Sequence, residues 1–141
     1  MEIWKQVAID DLSRFNYLKE SIISMEKEIR DIDSLVLSSN TSDIGKVQCS
    51  GISVEDKYNN CIVKKDKLLH QIRQNKADYE NIKTALQKLS EDNQKIINIA
   101  YINKKRKYID EICQIFNVET AQAYRYVNNA LQMYTRVRYG K

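Results

Sequence analysis

No proline interrupts this chain of 141 residues, and it has only three glycines. Proline breaks a helix interior by removing a donor and clashing with the preceding turn, and glycine weakens one through backbone entropy. With almost no breakers, 30% charged and 43% hydrophobic residues, the chain can be helical nearly throughout and has the apolar surface to fold. The expected fold class is all-α. A long antiparallel, coiled-coil-like helical hairpin is expected over residues 1–89, and a separate short-helix module over 90–141. Two of the three glycines fall in SSNTSDIGKVQCSG, residues 38–51, which also collects Ser, Asn, Asp and Thr. A loop is therefore expected over 38–53, with Val47-Gln48-Cys49 as a candidate short extended piece.

The hairpin rests on periodicity. Between Trp4 and Val36, Phe15, Leu18, Ile22, Met25, Ile29, Ile32 and Val36 recur at steps of three and four, while Glu20, Glu26, Lys27, Glu28 and Arg30 lie off that stripe. Such a helix runs about 50 Å at about 1.5 Å per residue, and its one apolar stripe needs a partner. The segment Val54–Leu89 offers Tyr58, Cys61, Leu68, Ile72, Tyr79, Ile82, Leu86 and Leu89, interrupted by Lys65 and Asn75. Lysine can lay its stem along apolar surface and asparagine can fix register, which is the plain account of both. The other account is that they line a contact with another molecule. Two helices bury little surface, so the same seam is also a candidate for homodimerisation.

Several function classes are excluded at this level. No run of eighteen apolar residues exists, so no membrane span is expected. The start MEIWKQVAIDD lacks the charged region and apolar core of a signal peptide. Cys49, Cys61 and Cys113 are scattered, with no CxxC pair, and His70 is the sole histidine. These features predict a reducing cytoplasm, no disulfide framework and no metal site. Cys49 has no adjacent cation or histidine in sequence to activate it. Acidic residues are dispersed over helical faces, and no nucleophile–base pair or glycine-rich phosphate loop occurs, so neither an enzyme nor a cofactor is expected.

Charge singles out the C-terminal module. Residues 1–89 hold 14 Lys+Arg and 14 Asp+Glu, whereas residues 90–141 hold 9 and 5, so the whole net charge of +4 sits there. A neutral front and a basic back suit a polyanionic partner for the back. Ser90 before Glu91-Asp92 is a helix start, and Ile96, Ile97, Ala100 and Tyr101 make that helix amphipathic. Asn103-Lys104-Lys105-Arg106-Lys107 then forms a basic loop, where Lys104, Lys105, Arg106 and Lys107 are candidates for phosphate contact. A short helix, Tyr108–Phe116, is expected to pack through Ile109, Ile112 and Phe116, with Cys113 as a small core residue. Asn117 suits a left-handed turn, and Val118 would plug the angle between helices. In the last helix Ala123, Tyr126, Ala130 and Leu131 have core spacing. That turns Thr120, Ala121, Tyr124, Arg125 and Asn128 outward.

Two short helices joined by a tight turn make a helix-turn-helix, whose second helix suits the major groove of double-stranded DNA. Arg125 can pair with guanine and Asn128 with adenine; Thr120 and Ala121 can meet a thymine methyl, and Tyr124 can pack on sugar or phosphate. Arg136 and Arg138 extend the surface for phosphate.

Through LSEDNQKIINIAY, DEICQIFNV and NALQMY, residues 89–134 resemble region 4 of sigma factors, the helix-turn-helix that reads the promoter −35 element. The wider order of long helix, loop with IGKVQCSG, second long helix and basic module resembles small phage and prophage proteins of Gram-positive bacteria, similar in type to the ArpU and RinA phage transcription regulators. That resemblance covers most of the chain. It implies a sequence-specific DNA-binding regulator of phage or prophage transcription, with double-stranded DNA as partner and the hairpin serving either homodimerisation or contact with RNA polymerase. Sigma region 4 usually carries charged readers at the positions of Thr120, Ala121, Tyr124 and Arg125, and here only Arg125 is charged. The sequence read is therefore expected to differ from a standard −35 element. The other DNA- and polymerase-binding regions of sigma factors have no counterpart, so a complete sigma factor is not expected. Two alternatives stand beside this reading. One is a DNA-packaging protein of the small-terminase type, although those usually place the reader first. The other is a protein-interaction module that has lost DNA binding.

Overall fold

The structure is a computed structural model that describes residues 2–39 and 54–141, with side chains over 2–37 and 55–141. The predicted loop 38–53, its Val47-Gln48-Cys49 piece and the IGKVQCSG segment lie outside the described residues, except that the backbone of residues 38 and 39 still belongs to the first helix. Among the described residues the fold is all-α. Its elements are α1 (Glu2–Ser39), α2 (Val54–Gln87), α3 (Glu91–Ile97), a π turn (Asn98–Ile102), α4 (Tyr108–Phe116) and α5 (Thr120–Tyr139).

The chain divides into two compact units, and the division does not follow chain order. One unit is Met1–Leu18 with Asp78–Lys141; the other is Lys19–Ala77. The sequence pattern placed the boundary at Leu89 instead. The three- and four-residue spacing of α1 continues through Trp4, Ala8, Phe15 and Leu18 with one charged position, Asp11, in it, and this spacing does not show where the stripe changes partners.

The first unit holds the core. Ala8, Leu12 and Leu18 of α1 join Ile82, Ala85, Leu89, Ile96, Ile97, Ala100, Ile109, Ile112, Ala123, Val127, Ala130, Leu131 and Tyr134 in one buried cluster. Full burial of an Ile or Leu side chain contributes about 1.5–3 kcal/mol, so this cluster dominates the unit's stability. Phe15 of α1 stacks on Tyr79 of α2 with ring centroids 4.8 Å apart, and Arg14 approaches Asp78 at 3.9 Å.

In the second unit α1 and α2 pack antiparallel, since Asp33, late in α1, meets Lys65, whereas Glu26 and Ser21, earlier in α1, meet Lys76 and Asn75, later in α2. Lys65 Nζ lies 2.7 Å from Asp33, Lys76 Nζ lies 3.0 Å from Glu26, and Asn75 Nδ2 donates to Ser21 Oγ at 3.0 Å. Lys65 and Asn75, the two polar interruptions of the seam, thus bond to α1 within the unit. Ile22, Met25, Ile29 and Ile32 are partly buried along this seam.

Candidate nucleic-acid interface

The elements behind the interface form for local reasons. Ser90 caps α3, its Oγ accepting the Asn93 N–H at 3.2 Å, with Glu91 and Asp92 in the positive first turn. Gln94 Nε2 donates to the Leu89 carbonyl at 2.9 Å. The chain then widens into the π turn, closed by the Asn103 N–H on the Asn98 carbonyl at 2.8 Å. Sequence periodicity predicts an ordinary helical face here and gives no sign of the extra residue. Single π turns of this kind are rare and gather at functional sites.

The basic loop follows at once. Asn103, Lys104, Lys105, Arg106 and Lys107 are all exposed. Lys104 Nζ sits 5.0 Å from the centre of the Tyr108 ring, a cation–π contact that restrains one cation of the run. Tyr108 N–H reaches the Lys105 carbonyl at 3.3 Å and opens α4.

α4 buries Ile109 and Ile112 and ends at Asn117, which adopts φ 53° and ψ 53°. Asparagine is among the few side chains that tolerate this left-handed backbone. The Asn117 and Val118 N–H groups both converge on the Cys113 carbonyl, the second at 3.1 Å. Cys113 and Val118 are partly buried against the core, and Phe116 meets Tyr126 edge to face with centroids 5.9 Å apart. The turn between α4 and α5 is therefore fixed by backbone conformation and by an aromatic pair beside it.

α5 is held from within and open from without. Ala123, Val127, Ala130, Leu131, Tyr134 and Thr135 are buried; Tyr126 is only partly so. Val127, Tyr134 and Thr135 were missing from the sequence-based core, because apolar spacing alone does not say how far along a helix its contact extends. On the other side Thr120, Ala121, Tyr124, Arg125 and Asn128 are all exposed, Tyr124 by 50%. Positions 121, 124, 125 and 128 form one stripe, since residues three and four apart are neighbours on a helix. Arg125 Nη1 donates to Gln122 Oε1 at 3.4 Å, which leans the guanidinium along the helix. Gln122 was not singled out from sequence, because its partner is visible only once the rotamers are placed. The exposed side continues through Asn129, Met133 and Arg136.

Arg138 does not join that surface. Its Nε lies 3.7 Å from the Asp11 carboxylate, and its guanidinium stacks 4.8 Å from the Tyr139 ring. Asp11, only 7% exposed, also accepts the Tyr139 hydroxyl and faces Arg14 Nη2 at 3.5 Å. The expectation that Arg138 faces phosphate is thus replaced by an internal ion pair, because the last turn of α5 packs on the first turns of α1. The Trp4 ring lies 5.4 Å from Tyr139, with Lys141 over it at 5.3 Å. Burial, together with the nearby Asp11 carboxylate, pushes the Tyr134 hydroxyl well above the usual tyrosine range. Tyr139 moves the same way through burial and its hydrogen bond to Asp11. Arg136, in contrast, stays exposed.

Among the described residues no group of three or more His, Cys, Asp or Glu side chains is placed to hold a metal ion, and no helix is long and apolar enough to cross a membrane. No protein-family model matches the chain, and neither the curated proteins nor the solved structures contain a match.

Proposed function

We propose that the protein is a sequence-specific, double-stranded-DNA-binding regulator of phage or prophage transcription, with α4 and α5 acting as a sigma-region-4-like helix-turn-helix. The observation that carries this reading is the open stripe on the first turns of α5. Thr120, Ala121, Tyr124, Arg125 and Asn128 are exposed together, over roughly 12 Å of helix at about 1.5 Å per residue. A duplex major groove admits a helix of this kind, and these side chains match the donor, acceptor and methyl pattern of base edges. The exposed cations Lys104, Lys105, Arg106, Lys107 and Arg136 supply the sequence-independent attraction to phosphate. Residues 19–77 serve, in this reading, for dimerisation or for contact with RNA polymerase.

The test is selection of bound duplexes from a random pool, followed by titration of the enriched site and of an unrelated duplex. Arg125→Ala is expected to weaken the enriched site by about 1–3 kcal/mol while leaving unrelated DNA nearly unchanged. Absence of any enriched sequence sinks the sequence-specific reading. Equal losses on both duplexes assign Arg125 to phosphate instead. A ring-forming assembly in solution favours the packaging alternative over regulation.

A further inference from the structure

We propose that Asn16, on α1, is a positioning residue for the basic loop: its carboxamide ties the end of the π turn to α1 and thereby sets where Lys104–Lys107 stand against phosphate. The inference rests on the DNA reading above. Asn16 Nδ2 donates to the Ile102 carbonyl at 3.3 Å and to Asn103 Oδ1 at 3.0 Å. Asn103 Nδ2 passes the chain of amides on to Asn98 Oδ1, while the Asn103 N–H closes the π turn on the Asn98 carbonyl. Three asparagines from two distant parts of the sequence are therefore joined side chain to side chain.

The location gives the ladder its consequence. Backbone geometry leaves the helix at Asn103, whose φ of −113° and ψ of 47° turn the chain into the loop. An intrahelical partner for the Ile102 carbonyl is lost at this point, and Asn16 replaces it. Asn16, Asn98, Ile102 and Asn103 also line an open cleft of about 660 Å³, beside Phe15 and Leu86. Beyond Asn103 the four cations are exposed, with the Lys104–Tyr108 and Tyr108–Lys105 contacts as further restraints. The direction in which the loop leaves is decided at the ladder.

Asn16 is uncharged, which makes the role separable from direct binding. Removing a neutral side chain releases no counterion by itself, so a change in the salt dependence of DNA affinity after its removal reports on the cations it positions. The experiment titrates a fluorescent unrelated duplex with the full chain over a series of salt concentrations, for the native protein, Asn16→Ala, Asn103→Ala and the double variant. Far-UV circular dichroism and melting are recorded beside each titration. The expected result is a slope of log affinity against log salt that is shallower by about one to two in each single variant, one or two phosphate contacts at about 0.9 each. The double variant is expected to lose no more than either single one, because both break one ladder. A native-like slope in Asn16→Ala and Asn103→Ala overturns the inference and leaves the DNA reading standing. If the native protein binds no duplex at all, the DNA reading fails and this inference fails with it.

Discussion

Ile112 in α4 and Ile29 in α1 are the same residue type, each on the apolar stripe of a helix, yet Ile112 is fully buried and Ile29 only partly so. The difference lies in how many neighbours each helix has. In the unit that contains α3, α4 and α5, several helices surround the core side chains, and even short helices bury residues completely. In the unit Lys19–Ala77 two helices cover one stripe each, and Ile72 is the one buried hydrophobic among its described residues. The 9-residue α4 thus buries Ile112 completely, while the part of the 38-residue α1 that lies in the two-helix unit leaves Ile22, Met25, Ile29 and Ile32 only partly covered. Length gives a helix its internal hydrogen bonds, but tertiary neighbours give it most of its stability.

The widest gap between the units is expected from truncation of those two isoleucines. Ile112→Ala should cost about 2–5 kcal/mol, read from urea unfolding followed by far-UV circular dichroism, because it leaves a cavity in a closed core. Ile29→Ala should cost about 1 kcal/mol or less, since its site is already half wet and can relax. Equal losses at the two positions would break the contrast.

Alkaline pH should separate the units next. Folded Tyr134 and Tyr139 hold their protons more tightly than the ordinary value of 10.0, through burial first and then the nearby Asp11 carboxylate. With the folded pKa raised above the unfolded one, the stabilisation is complete below pH 10 and is lost as pH rises beyond it, when the unfolded chain ionises and the folded one does not. Both tyrosines belong to the core-bearing unit. Melting temperature between pH 9 and 11.5 should therefore fall for that unit, and Tyr139→Phe should reduce the fall. A native-like pH profile in that variant would remove Tyr139 from the cause.

Smaller effects sharpen the picture. Ser90→Ala should cost about 1 kcal/mol by uncapping α3, measured by urea unfolding. Asn75→Leu should act in the opposite direction and stabilise the two-helix unit by about 1 kcal/mol or less, since an apolar residue replaces an asparagine that fixes register. A loss of stability in that variant would mean that the bond from Asn75 to Ser21 contributes more than the seam gains from leucine.

Much of the local structure was legible in the residues. Ser90 stands at the cap it suggested, α4 spans Tyr108–Phe116 as its apolar spacing implied, and Asn117 takes the left-handed conformation its type favours. The outward stripe on α5 was legible too, because core spacing at Ala123, Ala130 and Leu131 leaves only one side for Thr120, Ala121, Tyr124, Arg125 and Asn128. These features depend on neighbours within a few positions, where helical geometry converts sequence spacing directly into spatial contact.

The remainder depended on residues far apart in the chain. Only the folded molecule joins Asp11 to Tyr139 and Arg138, taking Arg138 from the surface, and only there does Asn16 reach Ile102 and Asn103. Periodicity reports which side of a helix is apolar, not which distant element covers it. All-α character among the described residues and the outward side of α5 were therefore determined by sequence alone. The division of α1 between two units, the π turn and the tether at the basic loop were decided by tertiary packing, which brings together side chains that no local rule relates.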